Sequence, residues 1–150
     1  SLPWPDEPHL ALWHGCTVLR EHRSGCHLIA LAIEELDGPQ SVITQVAVDE
    51  APAEWIQHEA GWSDDAVLEA TVKLQDKGWL DEQGHATAGC YEGRNRIEEL
   101  TDQLNAHHWT RIGTEKSEEL VALLGAINDH LPKDDQLDWR DIYQSNDTQN

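Results

Sequence analysis

The sequence predicts a mainly α-helical fold with a small β-hairpin wing, the architecture of a winged helix-turn-helix domain. Three segments between Ala51 and His108 support this prediction. The first, APAEWIQHEAGW, is typical of a short helix that ends in a Gly-Trp turn, and the second, SDDAVLEATVKLQDKGW, is typical of a longer helix. The third, LDEQGHATA, has the length and composition of a tight two-strand ribbon, and a further helix is expected from about Gly89.

The second helix of this motif has a clear start, an apolar face and a clear end. Ser63 is a favourable N-cap, and the two aspartates after it lie near the positive end of the helix dipole. Val67, Ala70 and Leu74 recur at three- and four-residue steps, so one face is apolar. We expect the helix to end at Gly78, and the DEQG segment that follows has the length of a hairpin connection.

Three helices are predicted ahead of the motif. The first covers roughly Glu7–Arg23, and Ser24 with Gly25 is expected to end it. The second, Cys26–Leu36, is almost entirely apolar, which predicts burial on most sides. The third, Gln40–Val48, has β-branched residues that also suit a strand. We favour a helix there because the segment precedes the first helix of the turn motif.

The chain after the predicted wing is also expected to be helical. Thr87 is predicted to cap a long helix, His107-His108-Trp109 and Ile112-Gly113 are predicted to form a break, and Thr114 is predicted to open a last helix. We therefore expect a single winged-helix domain with flanking helices over residues 1–131. Residues 132–150 are polar and acidic, which predicts a loosely ordered tail.

Charge and cysteine usage restrict the classes of partner. The formal net charge is -19, from 29 acidic against 10 basic residues, and a surface of that sign repels phosphate backbones and anionic lipids. The three cysteines show no paired short spacing, which favours free thiols over a disulfide framework. No apolar run is long enough to span a bilayer. We expect a cytoplasmic protein without a cofactor and without a membrane partner.

Two stretches of the sequence resemble a known protein family. The run LPWPDEPHLALWHGCTVLREHRSGCHLIAL, followed by GWSDDAVLEATVKLQDKGWLDEQGHATAG, is similar to the second half of a largely actinobacterial family of MarR-like helix-turn-helix proteins. The resemblance covers about residues 2–131. It implies a ligand-responsive transcriptional regulator, or a non-catalytic binding module derived from one, and long helices that pair two chains into a homodimer.

This chain departs from the family pattern in two ways. Longer members carry an additional helical half before the position of Leu2. MarR proteins also tend to have Leu-Thr leading out of the wing, whereas here Thr87 follows Ala86.

DNA contact is one candidate function of the motif. The resemblance implies that the helix Ser63–Gly78 enters the major groove, with Lys73 and Lys77 on this helix and His85 in the wing as candidate contacts. Between Trp62 and His85, however, two lysines stand against six carboxylates. DNA is therefore possible but disfavoured by charge, and the alternative is a scaffold or a protein-contact surface.

The segment HGCTVLREHRSGCH is the second candidate site. Its predicted ligand-binding residues are His14, Arg20, Glu21, Arg23 and His27. Arginine binds carboxylates through its planar fork, so we expect an anionic small molecule in a pocket between helices.

Three alternatives are open for this segment. The cations could simply complement a helix end. A metal site formed by Cys16, His22, Cys26 and His27 is disfavoured by their irregular spacing, so no metal site is predicted. An enzyme that uses His14–His27 is the alternative function.

Overall fold

Helices are the regular secondary structure of the described residues, which are 3–52 and 61–131 in the computed structural model of this chain. Within these two ranges no strand is present, and five α-helices follow one another. Their bounds are α1 Pro8–Ile33, α2 Gly38–Ala47, α3 Asp64–Asp76, α4 Ala88–Ile112 and α5 Thr114–Asn128. The chain forms two compact units, Ser1–His107 and His108–Asn150.

The predicted β-hairpin wing is wrong. Between α3 and α4 the chain makes a tight turn with one isolated antiparallel bridge, Leu80 to Ala86. Asp81 explains why pairing does not extend further. Its carboxylate Oδ1 accepts the backbone N–H of Gln83 at 2.9 Å and of His85 at 2.8 Å, so a side chain holds the His85 N–H that would otherwise pair across the turn.

The predicted break at Ser24-Gly25 is also wrong. One continuous helix, α1, covers Pro8–Ile33. A glycine inside a helix costs about 1 kcal/mol relative to alanine. Burial of Cys26, Ala30 and Leu31 in the core offsets that cost, because each buried aliphatic side chain contributes a comparable or larger amount.

The expected burial of Cys26–Leu36 on most sides is not seen. Leu28 is 66% exposed and Ile33 is 61% exposed, so only one side of this part of α1 contacts the core. The apolar pattern identified the helix but overestimated how much of it the first unit covers. Such exposed apolar side chains often mark an interface.

The predictions for α2 and α3 are confirmed. Gln40–Val48 lies almost entirely in α2, which starts earlier, at Gly38. A capping box explains this start: Asp37 accepts the backbone N–H of Gln40, and the Gln40 side chain accepts the backbone N–H of Asp37. At the start of α3, Ser63 Oγ accepts the backbone N–H of Ala66 at 3.3 Å.

Two further predictions concern helix boundaries. The predicted break is wrong at His107-His108-Trp109, where α4 continues, and confirmed at Ile112-Gly113. α4 ends at Ile112, and the next residue, Gly113, has a φ of +87° that favours glycine. The predicted start of the last helix at Thr114 is confirmed. The first helix of the turn motif falls mostly on residues 53–60 and lies outside the described residues, as does the predicted tail.

The core of the first unit lies where α1, α2, α3 and α4 converge. Its fully buried aliphatic side chains include Leu74 of α3 and Ile97 of α4. The buried Trp79 lies so close to Gly93 of α4 that an added Cβ there would overlap the indole ring. This packing fixes α4 against the turn that follows α3. It thereby positions the polar residues Arg94 and Glu98, which follow Gly93 in α4.

Candidate functional site

The exposed face of α3 is acidic and partly apolar. Its buried side is formed by Ala70 and Leu74, which anchor the helix in the core. The exposed side carries Asp64, Asp65, Leu68, Glu69, Val72, Lys73 and Asp76. Carboxylates thus surround two exposed aliphatic side chains one helical turn apart.

The three predicted DNA contacts all have partners within the chain. Lys73 Nζ binds Glu69 at 2.8 Å, and this hydrogen bond is the main cause that raises the pKa of Lys73 and lowers that of Glu69. Lys77 Nζ donates to the backbone carbonyl of Glu34 at 2.9 Å and lies 5.4 Å from the centre of the Trp79 ring. His85 Nδ1 lies 3.3 Å from Asp81 Oδ2. A phosphate group would have to compete with these contacts.

The predicted ligand-binding set is divided between separate places along α1. Arg20 pairs with its exposed neighbour Glu21 at 2.6 Å. The ring of His14 contacts Trp4 edge-on, with 4.9 Å between ring centroids. Since a helix rises 1.5 Å per residue, His14 and His27 are separated by about 20 Å along the axis. The segment therefore does not converge on one pocket.

Arg23 and His27 do come together, on the side of α1 that faces α4. Arg23 Nη2 donates to Glu98 Oε2 at 2.9 Å and lies 3.6 Å from Asp102 Oδ1. His27 Nδ1 lies 3.3 Å from the Thr101 hydroxyl and 3.7 Å from Glu98 Oε1. Glu98 therefore connects the two predicted residues of α1 to α4.

Burial controls the charge of His27. Desolvation of the ring lowers the pKa of His27, the nearby cations Arg94 and Arg23 lower it further, and Glu98 opposes them. The imidazole is consequently neutral near pH 7. At that pH it adds no positive charge for the anionic ligand that the sequence predicted here.

Arg94 is the residue that sequence reasoning missed. Its side chain is only 3% exposed, and its Nη2 binds Glu50 Oε2 at 2.9 Å and Glu98 Oε1 at 3.3 Å. Its Nε and Nη1 are buried, and among the residues that the structure describes neither has a hydrogen-bond partner. Helical spacing could have predicted that Arg94 is buried, because it shares a face of α4 with the buried Cys90, Ile97 and Thr101.

A cleft of about 450 Å³ opens next to this guanidinium. Residues from the end of α2, the following turn and α4 form its walls, namely Gln45, Glu50, Ala51, Pro52, Arg94 and Glu98. All of them belong to the first unit. The lining combines polar side chains with the apolar Ala51 and Pro52, a combination that is common in small-molecule sites.

The cysteines and histidines of the described ranges form no metal-binding group of three or more. Of the four residues weighed for a metal site, Cys26 Sγ and His22 Nε2 are 3.6 Å apart, while Cys16 is exposed. All three cysteines are free thiols. Burial is the main cause that raises the pKa of the Cys90 thiol, so it is protonated and unreactive near neutral pH.

Comparison with known proteins assigns the class of this chain. A model of a helix-turn-helix family matches residues 1–137, and the chain belongs to that family. Such a family suggests a DNA-binding, regulator-like protein. The MarR-like subtype is a finer assignment that this match does not reach.

No curated protein and no solved structure matched the chain. Over the ranges that the structure describes, every helix is too short or too polar to cross a membrane.

Proposed function

We propose that this chain is a non-catalytic, regulator-like helix-turn-helix protein whose α3 binds a basic protein surface in preference to generic duplex DNA. The exposed face of α3 carries this proposal. Leu68 and Val72 lie there among carboxylates, and the neighbouring lysines are held by contacts within the chain.

Electrostatics separates the two kinds of partner. Binding to duplex DNA gains most of its affinity when free lysines or arginines neutralise phosphates. Here Lys73 would have to leave Glu69, and Lys77 would have to leave the Glu34 carbonyl, against a net charge of -19. A basic protein surface would instead gain from the same carboxylates and could bury the two aliphatic side chains.

Three finer features belong to this proposal. The MarR-like subtype is supported by the order of α2, α3 and the long α4, without a wing. Regulation by a small molecule is supported by the cleft at Arg94. A homodimer is supported by the exposed apolar side chains of α1 and α5. Specific DNA recognition is the second candidate function, and membership of a helix-turn-helix family favours it.

The two candidates can be compared by parallel selection on the same protein. A randomised duplex DNA library and a displayed random peptide library are each selected on the wild-type chain. The binding of each enriched sequence is then measured with the wild type and with a variant carrying Leu68→Gln and Val72→Gln, which removes the apolar part of α3 without changing its charge. The matched control is Val18→Gln on α1, where Val18 is 51% exposed, between Leu68 at 64% and Val72 at 46%.

We expect enrichment of peptides rich in Lys, Arg and aliphatic residues that lose binding to the α3 variant and keep binding to the control. Enrichment of a defined DNA sequence that depends on α3 would establish the second candidate instead. Peptides that bind both variants equally would show that α3 is not the contact surface.

A further inference from the structure

The exposed face of α3 carries an apolar pair with a row of carboxylates beside it. Leu68 and Val72 form the pair, one helical turn apart, and their side chains are 64% and 46% exposed. Successive residues of a helix are rotated by about 100°, so Asp65, Glu69 and Asp76 follow one another along one side of this pair. A partner that covers the apolar pair therefore also meets the acidic row.

The other side of the apolar pair is mostly uncharged. The Thr71 hydroxyl donates to the Val67 carbonyl at 2.8 Å, and Gln75 Nε2 donates to the Asp81 carbonyl at 2.9 Å. These hydrogen bonds within the chain engage the polar groups on this side. The apolar pair and the acidic row are consequently the groups of α3 that a partner can use.

Two carboxylates of the row are available for new ion pairs. Glu69 is held by Lys73 at 2.8 Å. Over the described ranges, Asp65 and Asp76 take part in no ion pair. They lie about three turns apart on α3, which corresponds to about 16 Å along the helix axis.

The backbone of the partner decides which conformation fits this face. An extended peptide has backbone N–H and C=O groups that need hydrogen-bond partners once they are buried. The exposed face of α3 offers apolar groups and carboxylates, and a carboxylate accepts hydrogen bonds but donates none. A helix pairs its backbone groups internally and buries only side chains, so a helical partner loses less on contact with Leu68 and Val72.

We propose that α3 binds an amphipathic basic helix of a partner protein, an inference that rests on the proposed function and specifies the partner. Leu68 and Val72 contact the apolar stripe of that helix. Basic side chains about three turns apart beside the stripe pair with Asp65 and Asp76. The partner helix lies nearly along α3, since a steep crossing would bring only one of these two carboxylates within reach.

Three synthetic peptides of about 15 residues, a length at which an isolated helix begins to form, test the conformation. The first carries leucines at helical spacing with lysines beside them. The second has the same composition but alternates leucine with polar residues, as a strand does. The third repeats the first with a central proline on its outward side. Fluorescence anisotropy with the full chain should show the first peptide binding at least about tenfold more tightly than the others, because proline and the alternating pattern both disrupt an apolar helix face.

Two variants of the full chain test the apolar contact. Leu68→Gln with Val72→Gln should weaken binding of the first peptide by roughly tenfold or more, because two aliphatic side chains are no longer buried. Val18→Gln on α1 is the matched control and should leave the affinity unchanged.

A second pair of variants tests the ion pairs. Asp65→Asn with Asp76→Asn should weaken binding and reduce its dependence on salt, because both carboxylates lose their charge. Glu99→Gln with Glu119→Gln removes the same amount of charge from exposed positions outside α3. This control should keep both the affinity and the salt dependence close to those of the wild type.

Each other result has a defined meaning. Equal binding of the alternating or proline peptide would overturn the helical partner while the proposed function stands. The same holds if the first peptide does not bind although peptides from the random library bind through α3. Binding of the first peptide that is unaffected by both α3 variants would place its contact elsewhere and overturn the inference. If no peptide, designed or selected, depends on α3, the proposed function fails as well.

Discussion

At the scale of single residues, His27 links the charge state of the molecule to its stability. Its imidazole is buried, and burial is the main reason that its pKa lies below the ordinary value of 6.5. The unfolded chain therefore binds a proton more readily than the folded one. The stability that neutral His27 contributes is complete above about pH 6.5 and is lost as pH falls from there through the lower folded-state pKa.

Replacement of His27 by Gln should remove this part of the pH dependence. The wild type should lose more free energy of unfolding than the variant as pH falls from 7.5 to 5, so the two curves should converge. Urea unfolding at half-unit pH intervals measures the difference. His9→Gln on the exposed part of α1 is the control and should run parallel to the wild type. Parallel curves for His27→Gln would show that burial does not shift its titration.

At the scale of elements, two glycines inside long helices have opposite roles. Gly93 of α4 faces the Trp79 ring, and a Cβ there would overlap it. A Cβ added at Gly25 of α1 would meet no described atom within 4 Å beyond its own stretch of helix, so that position is open. The same substitution should consequently have opposite effects on the free energy of unfolding at the two positions.

Gly93→Ala should destabilise the chain by roughly 1–3 kcal/mol, the usual cost of overpacking a core. Gly25→Ala should stabilise it by about 0.4–1 kcal/mol, because the unfolded chain loses freedom and the helix gains propensity. Chemical denaturation of both variants with the wild type measures this contrast. Destabilisation by Gly25→Ala would indicate that α1 is interrupted at Ser24-Gly25 in solution.

The elements also show what the sequence can predict. The start of α3 depends on a local signal, a serine cap followed by an apolar period of three to four residues, and local signals are visible in one sequence. The continuity of α1 depends on a nonlocal contact, the burial of Cys26 and Ala30 against other helices. The absence of a wing depends on a specific side-chain contact within the turn, the capture of the backbone N–H groups of Gln83 and His85 by Asp81. Such contacts cannot be predicted from the helix and strand propensities of the residues alone.

The candidate site shows the same division between local and nonlocal information. Arg23 and His27 were identified because they form a basic cluster in an acidic chain, and the structure does bring both to Glu98. Their proximity in sequence to Arg20 and His14 was misleading, because the helix spreads these four residues along its axis. Glu98 lies one helical turn after Arg94 and is a local partner, but Arg94 was missed since Glu50, 44 residues away, becomes its neighbour only in the folded unit.

At the scale of the whole molecule, the balance between repulsion and apolar burial decides whether two chains associate. Each chain carries a net charge of -19, which opposes association at low salt. Each also exposes aliphatic side chains on α5, including Val121 and Leu123 at 65% and 58%, besides those on α1. Within the second unit, a cavity of about 810 Å³ with mainly apolar walls lies against α5.

We expect a homodimer whose formation depends on salt, because added ions screen the repulsion between the two acidic chains and leave apolar burial intact. Light scattering coupled to size-exclusion chromatography should give twice the chain mass of 16.9 kDa at tens of micromolar protein. The dimer fraction should rise between low and molar KCl. Leu123→Glu should shift the mass toward the monomer, whereas Leu68→Glu on α3 should leave it unchanged. A monomer mass for the wild type at every salt concentration would refute the dimer and, with it, the paired contact surfaces expected of a MarR-like regulator.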